Sequence, residues 1–403
     1  MNRSPDHARQ IPRPAFLILF LVYAAFIALG MPDGLFGVAW PTMRKGFGVP
    51  IDAIGLAMIT GTVGYLLSSF LSGRLLARLS ISGLLTLSCS LTGAALLVNC
   101  LVPTWTWFAA VILIAGLGAG GIDAGLNTYV ATRLEERQMH WLHASYGIGV
   151  MTGPLLMTVG LNLYGDWRPG YLTVGALQLG LATAFVLSAH EWKRFDATRP
   201  NPRQHNEGID TPLLSTLTFG PAWRGFILFF LYSGAEIGLG FWAYTLLTEA
   251  RGVAPVPAGL VAGGFYALFT VGRILSGFLT HRWDPNRLVT GSLGLAVLGS
   301  LLLWANLNPT VSLAGMVLTG FAIAPVFPAL VSGTRDRVGR RHENNAIGIQ
   351  MSMAGLGSAV IPALLGVLAR RVSVEAITGA LLILFTMILL IASIISKHGK
   401  IPR

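Results

Sequence analysis

"SGRLLAR", residues 72–78, returns as "SGFLTHR", residues 276–282, and each copy ends the second long apolar run of its half of the chain. The shift is about 204 residues, and it also lays Gly116 over Gly320. At a shift of 208, "YGIGVMTGP" (146–154) lies over "AGLGSAVIP" (354–362), pairing Gly147, Gly149 and Pro154 with Gly355, Gly357 and Pro362. At 203, Asp33 and Gly37 match Glu236 and Gly240. Registers kept over half a chain point to a duplicated unit.

The unit is built for lipid. Of 403 residues, 53% are apolar and 11% charged, with 49 glycines, a membrane composition. Apolar windows of bilayer-spanning length recur at 15–41, 53–76, 81–101, 106–132, 141–164, 168–189, 222–248, 257–281, 287–306, 310–333, 345–369 and 374–396. The expected fold is an all-α membrane protein of twelve transmembrane helices in two pseudo-symmetric six-helix bundles. The polar stretch 190–221 is the long loop, so the bundles are expected at 1–189 and 222–403 with 190–221 as a cytoplasmic linker. The first apolar run is too long for a signal peptide and has no small-residue cleavage site, so it is expected to be retained.

The net charge of +11 is arranged by loop, which argues for a membrane and against nucleic acid. With the N-terminus inside, the even-numbered loops and the tails hold 21 of the 28 Lys and Arg residues, the opposite loops hold six, and Arg273 lies within a span. Both termini are therefore expected in the cytoplasm of a cell whose inner membrane the chain crosses. Cys89 and Cys100 lie on one helix about 16 Å apart, too far to bridge, so free thiols and no metal site are expected. No cofactor is implied, and no His-Glu-x-x-His, Gly-x-Ser-x-Gly, P-loop or acidic loop cluster points to an enzyme.

A duplicated six-plus-six bundle of this kind resembles the major facilitator superfamily, which implies a midplane substrate site between the halves, exposed alternately to each side. The loop signature after the second span keeps its glycine and arginine (Gly73 and Arg78, Gly277 and Arg282), while the aspartate position holds Ala77 and His281. Within the superfamily, "DAGLNTYV" (123–130) is similar to the fourth-span pattern of the fucose:proton symporter branch, and "GRILSGFLTHRWDP" carries Gly272, Arg273, Arg282 and Pro285 at matching spacing. That resemblance implies sugar binding and proton coupling at Asp123 and Asn127, and less directly at Asp33.

Three carboxylates remain inside the spans: Asp33, Asp123 and Glu236. An ionised carboxyl in mid-bilayer costs about 2.5 to 3.5 kcal/mol, so each is expected to face a wet cavity, find a partner or carry a proton. Gly116, Gly120, Asp123 and Asn127 share one helix face. Counting from Phe108, Asp123 falls in the cytoplasmic half, Asp33 in the outer half and Glu236 near the middle. Arg273 needs an acid, and Asp123 lies at comparable depth in the other half, which makes a salt bridge between the halves one reading.

Blander readings stand beside these. Asp33, between Pro32 and Gly34, fits a cap on a helix broken at Pro32; Asp123 and Glu236 fit structural bonds to neighbouring helices; and His143 fits a solvated interface. Trp40, Trp105, Trp107, Trp141 and Trp167 fit an interfacial belt. Tyr129, Tyr146, Tyr232, Trp242, Tyr244 and Tyr266 fit either sugar stacking or core packing, and Gln350 and Asn345 are polar candidates. The expected function is proton-coupled symport of a small solute, a sugar, by a monomer whose partners are substrate, protons and lipid. The alternative is a drug:proton antiporter, on the partial fifth-span match "GVMTGP" (149–154); a channel is a third reading.

Overall fold

The computed structural model describes residues 13–134, 136–197, 212–279 and 284–398. They form helices throughout, of which twelve are long and apolar enough to cross a membrane. In order these spans are Phe16–Phe47, Ile51–Leu76, Arg78–Asn99, Trp105–Arg133, Trp141–Tyr164, Arg168–Leu187, Gly220–Ala250, Pro255–Leu275, Asn286–Ala305, Pro309–Ser332, Asn345–Arg371 and Ala376–Ser396. The second and third spans join without a loop at a kink on Ser80, whose φ of 62° is a left-handed value uncommon for a side-chain-bearing residue.

The first span departs from the expectation drawn at Pro32. Its helix runs unbroken through Pro32 and Pro41 to Phe47. Proline at 32 removes the N–H that would have bonded the carbonyl four residues earlier, at Ala28. Gln178 Nε2, buried in the sixth span, donates to that carbonyl at 2.9 Å instead. A neighbouring helix thus repairs the gap, as spanning helices require in lipid. The cap reading of Asp33 is therefore set aside. Because the helix continues past Pro41, Asp33 stands near the middle of the first span and not in its outer half.

The glycines of "GVMTGP" are explained by packing. Gly153 lies on the backbone of Leu35, 2.8 Å from where its methyl would stand, and a methyl on Gly34 would come within 2.6 Å of Pro154 Cδ. The first and fifth spans meet groove to groove because both lack side chains there.

The tryptophans divide. Trp107 and Trp141 are 63% and 59% exposed, as a belt requires. Trp40, Trp105 and Trp167 are buried among Phe47, Phe108 and Tyr171. Their burial is tolerated because the indole N–H groups of Trp40 and Trp105 find the carbonyls of Ile51 and Ala53, each at 3.1 Å. The belt reading fails for these three.

Part of the 190–221 stretch is also folded. The helix Ala189–Ala197 turns Trp192 and Phe195 into the protein, and Tyr129 Oη at the end of the fourth span donates to Asp196 Oδ1 at 2.9 Å. Residues 198–211 lie outside the described residues.

At the end of the bundle away from the chain termini, the two halves are fastened together. Arg44 meets Glu249 at 2.6 Å, Lys45 approaches the same carboxylate at 3.8 Å, and Arg370 meets Asp52 at 3.2 Å. Deeper in, the first and seventh spans touch where Gly37 faces Phe241, whose carbonyl oxygen a methyl would meet at 2.7 Å.

Candidate functional site

Beneath that closure lie the three intramembrane acids. Asp33 is an exposed side chain near the centre of its span, although protein surrounds it; it therefore opens on an internal space. Tyr146 Oη, from the fifth span, donates to Asp33 Oδ2 at 2.6 Å. Asp123 and Tyr266 lie within electrostatic reach of Asp33.

Asp123 is half-buried on the fourth span, where Gly116 and Gly120 bring the helix close to the second span. The small face read from the sequence is thus a helix-packing face, and it delivers Asp123 to Tyr65. Tyr65 Oη donates to Asp123 Oδ2 in a short hydrogen bond. Asn127 Nδ2 donates to Asp123 Oδ1 and to its main-chain oxygen, each at 2.9 Å. Both carboxylate oxygens are thereby hydrogen-bonded, and neither Asp33 nor Asp123 has a basic partner among the described residues.

Glu236 is different. Arg273 Nη2 lies 3.3 Å from Glu236 Oε1, and its guanidinium lies 4.3 Å above the Phe269 ring. The partner of Arg273 is therefore an acid of the adjacent seventh span, and the salt bridge to Asp123 across the halves is not formed. Tyr65 and Asn127 occupy Asp123, while Glu236 stands directly beside Arg273. Tyr266, seven residues before Arg273, uses the space over Gly240, one turn beyond Glu236.

Tyr232, one turn before Glu236, lies against its carboxyl, is fully buried and donates to the Ile323 carbonyl at 2.7 Å, beside the break that Pro325 makes in the tenth span. The remaining candidates sit elsewhere. Trp242 Nε1 donates to the Pro362 carbonyl at 3.0 Å. Gln350 Oε1 accepts from Thr334 Oγ1 at 2.9 Å, in a network with Arg337, which donates to the Leu330 carbonyl. Burial pulls the Arg337 guanidinium down to about 10, with Asp336 opposing, so it stays charged at neutral pH. Asn345 donates to Thr216, and the His143 ring meets Phe26 edge-on. Gly272 packs on Ala324, whose Cβ would lie 2.6 Å from an added methyl. Gly73 and Arg78 are exposed near the Ser80 kink, Gly277 is helical, and Arg282 lies outside the described residues.

Tyr65 and Gln178 escaped the sequence reading. Gln178 carried a signal, a lone amide in an apolar span facing a proline four residues past a carbonyl; Tyr65 carried none without its partner. Among the described residues no three His, Cys, Asp or Glu side chains gather as a metal site. Cys89 and Cys100 are free and buried.

Twelve spans in two related halves around carboxylates held inside the bundle define a class: a polytopic transporter. The sequence model of the Major Facilitator Superfamily matches residues 16–305 and 225–400, and the chain belongs to that family. It is similar to "Bypass of stop codon protein 6" of Saccharomyces cerevisiae, 25% identical over 391 residues, covering 90% of this chain and 77% of that one. It is also similar to the "Glucose/mannose transporter GlcP" of Bacillus subtilis, 22% identical over 355 residues, covering 85% and 86%. Among solved structures, a bacterial homologue of the human lysosomal transporter Spinster superposes with a TM-score of 0.77 at 12% identity, over 98% and 99% of the two chains. FucP in its outward conformation superposes with a TM-score of 0.63 at 17% identity, over 95% and 99%. The protein is thus a multi-pass membrane transporter with sugar transporters among its relatives, and not an enzyme.

Proposed function

We propose that the protein is a proton-coupled symporter of a small neutral sugar, working by alternating access as a monomer in the inner membrane with both termini cytoplasmic. One observation carries the reading: Asp33 and Asp123 are two carboxylates inside the bundle, hydrogen-bonded by tyrosines and an amide but without a cation among the described residues. An acid with neutral partners can gain and lose a proton without leaving a buried charge of opposite sign behind. Asp123 and Asn127 present a carboxyl and an amide to sugar hydroxyls and Asp33 with Tyr146 does so from the facing helices; Asp123 hands its proton to the cytoplasm and Asp33 governs the opposite side. Glu236, neutralised by Arg273, holds the second half in register and contributes to coupling through that pair. The two domains, 1–189 and 222–403, rock about the site, with 190–221 between them. GlcP's name supports a sugar, and the net-negative site argues against anionic solutes.

The test is uptake of labelled monosaccharides into proteoliposomes with and without an inward proton gradient. Accumulation that collapses with a protonophore is expected; sugar uptake indifferent to the gradient refutes coupling. Extrusion of hydrophobic dyes with no sugar uptake would establish the antiporter reading instead.

A further inference from the structure

Away from the acids, the lipid-facing side of the second half carries a groove of about 280 Å³ between the eleventh and twelfth spans. Ile361, Leu364 and Leu368 line one wall, and Ala380, Ile383 and Leu384 the other. Both walls follow helical spacing, so the groove runs along the eleventh span for about two turns and along the twelfth for about one, and ends near where they leave the membrane. Leu364 and Ile383 are 60% and 62% exposed.

Two observations fix what enters it. The first is depth. Trp304, 53% exposed, lies against Gly379, with its indole nitrogen 3.2 Å from where a methyl would stand. An exposed tryptophan marks the interface between hydrocarbon and headgroups, so the mouth of the groove at Ala380 and Leu368 is level with that interface. The second is charge. Arg371 follows Leu364 by seven residues and Leu368 by three, on the same face of the eleventh span, and it is exposed just above the mouth. Its neighbour Arg370 is taken by Asp52, whereas Arg371 has no ion-pair partner among the described residues.

We propose that this groove holds one acyl chain of a phospholipid whose phosphate sits on the Arg371 guanidinium, in the leaflet at the end away from the chain termini. Its chemistry is apolar below and cationic at the interface, the order of groups along a phospholipid. The site is independent of the transport reading, since none of its residues contacts the acids.

Native mass spectrometry of the full-length chain in detergent tests this, with phosphatidylglycerol as probe and diacylglycerol of the same chains as the phosphate-free control. Wild type is expected to retain one phosphatidylglycerol and little diacylglycerol. Arg371→Gln should weaken retention about fivefold, the worth of one basic contact to lipid phosphate, and Arg371→Lys should restore it. Ala380→Phe should exclude the chain with Arg371 intact. Arg224→Gln, an exposed arginine at the other end, should change nothing. Equal retention by Arg371→Gln, equal binding of diacylglycerol, an equal loss in Arg224→Gln, or a dimer forming in place of the lipid would each overturn the proposal. Arg371→Gln is a surface change, so the test stands even if Ala380→Phe fails to fold.

Discussion

The two halves open with matching carboxylates and answer them differently. In the first, Asp33 accepts from Tyr146, and Asp123 with Tyr65 and Asn127 adds a second uncompensated acid. In the second, Glu236 faces Arg273, and at the 204-residue shift the places of Tyr65, Asp123 and Asn127 hold Phe269, Phe327 and Val331. The scaffold was duplicated and the titratable chemistry was not. Phe269 instead lies beneath the arginine, and Phe327 packs on Phe229 with ring centroids 5.2 Å apart. One half holds two acids with neutral partners and the other a balanced acid–arginine pair.

The largest effect should come from the acids of the first half. Asp123→Asn should reduce gradient-driven accumulation to background while counterflow exchange survives, because the amide keeps shape but cannot titrate. Accumulation at the wild-type level would put Asp123 on the same footing as Phe327. Arg273→Ala should come next, leaving Glu236 without its cation at a cost of about 3 to 5 kcal/mol in thermal unfolding. Adding Glu236→Gln should recover most of that loss, and additive losses would dissolve the pair. Gln178→Leu should destabilise by about 1 to 3 kcal/mol through the bare Ala28 carbonyl, with substrate affinity unchanged. Smallest is Asn127→Ala, which should weaken sugar binding by about 0.5 to 1.5 kcal/mol per lost bond in a titration of purified protein, with coupling kept. Unchanged affinity would remove Asn127 from the ligand.

Much of this was legible in one dimension. Apolar runs and the internal repeat determine the span count, because hydrocarbon thickness leaves little choice of length. The Asp123–Asn127 pair was legible too, since four residues on a helix is a local distance. Contacts between helices were not. Pro32 reads as a breaker until Gln178, 146 residues further along the chain, is known to face the carbonyl it frees. Arg273 reads as a partner for any acid at its depth, and only the neighbouring of the seventh and eighth spans selects Glu236. The buried tryptophans misled for a similar reason: position near a span end says how deep a ring lies but not which way it turns.

The hydrogen bond from Tyr129 to Asp196 has a mechanical consequence. Tyr129 lies six residues beyond Asp123 on one continuous helix, and Asp196 sits on the last turn before the chain leaves for the other half. A helix is stiff over so short a length, so a tilt or rotation that begins at the acid arrives at the tyrosine nearly undiminished. The hydrogen bond thus ties the far end of the fourth span, less than two turns beyond the carboxylate, to the helix Ala189–Ala197.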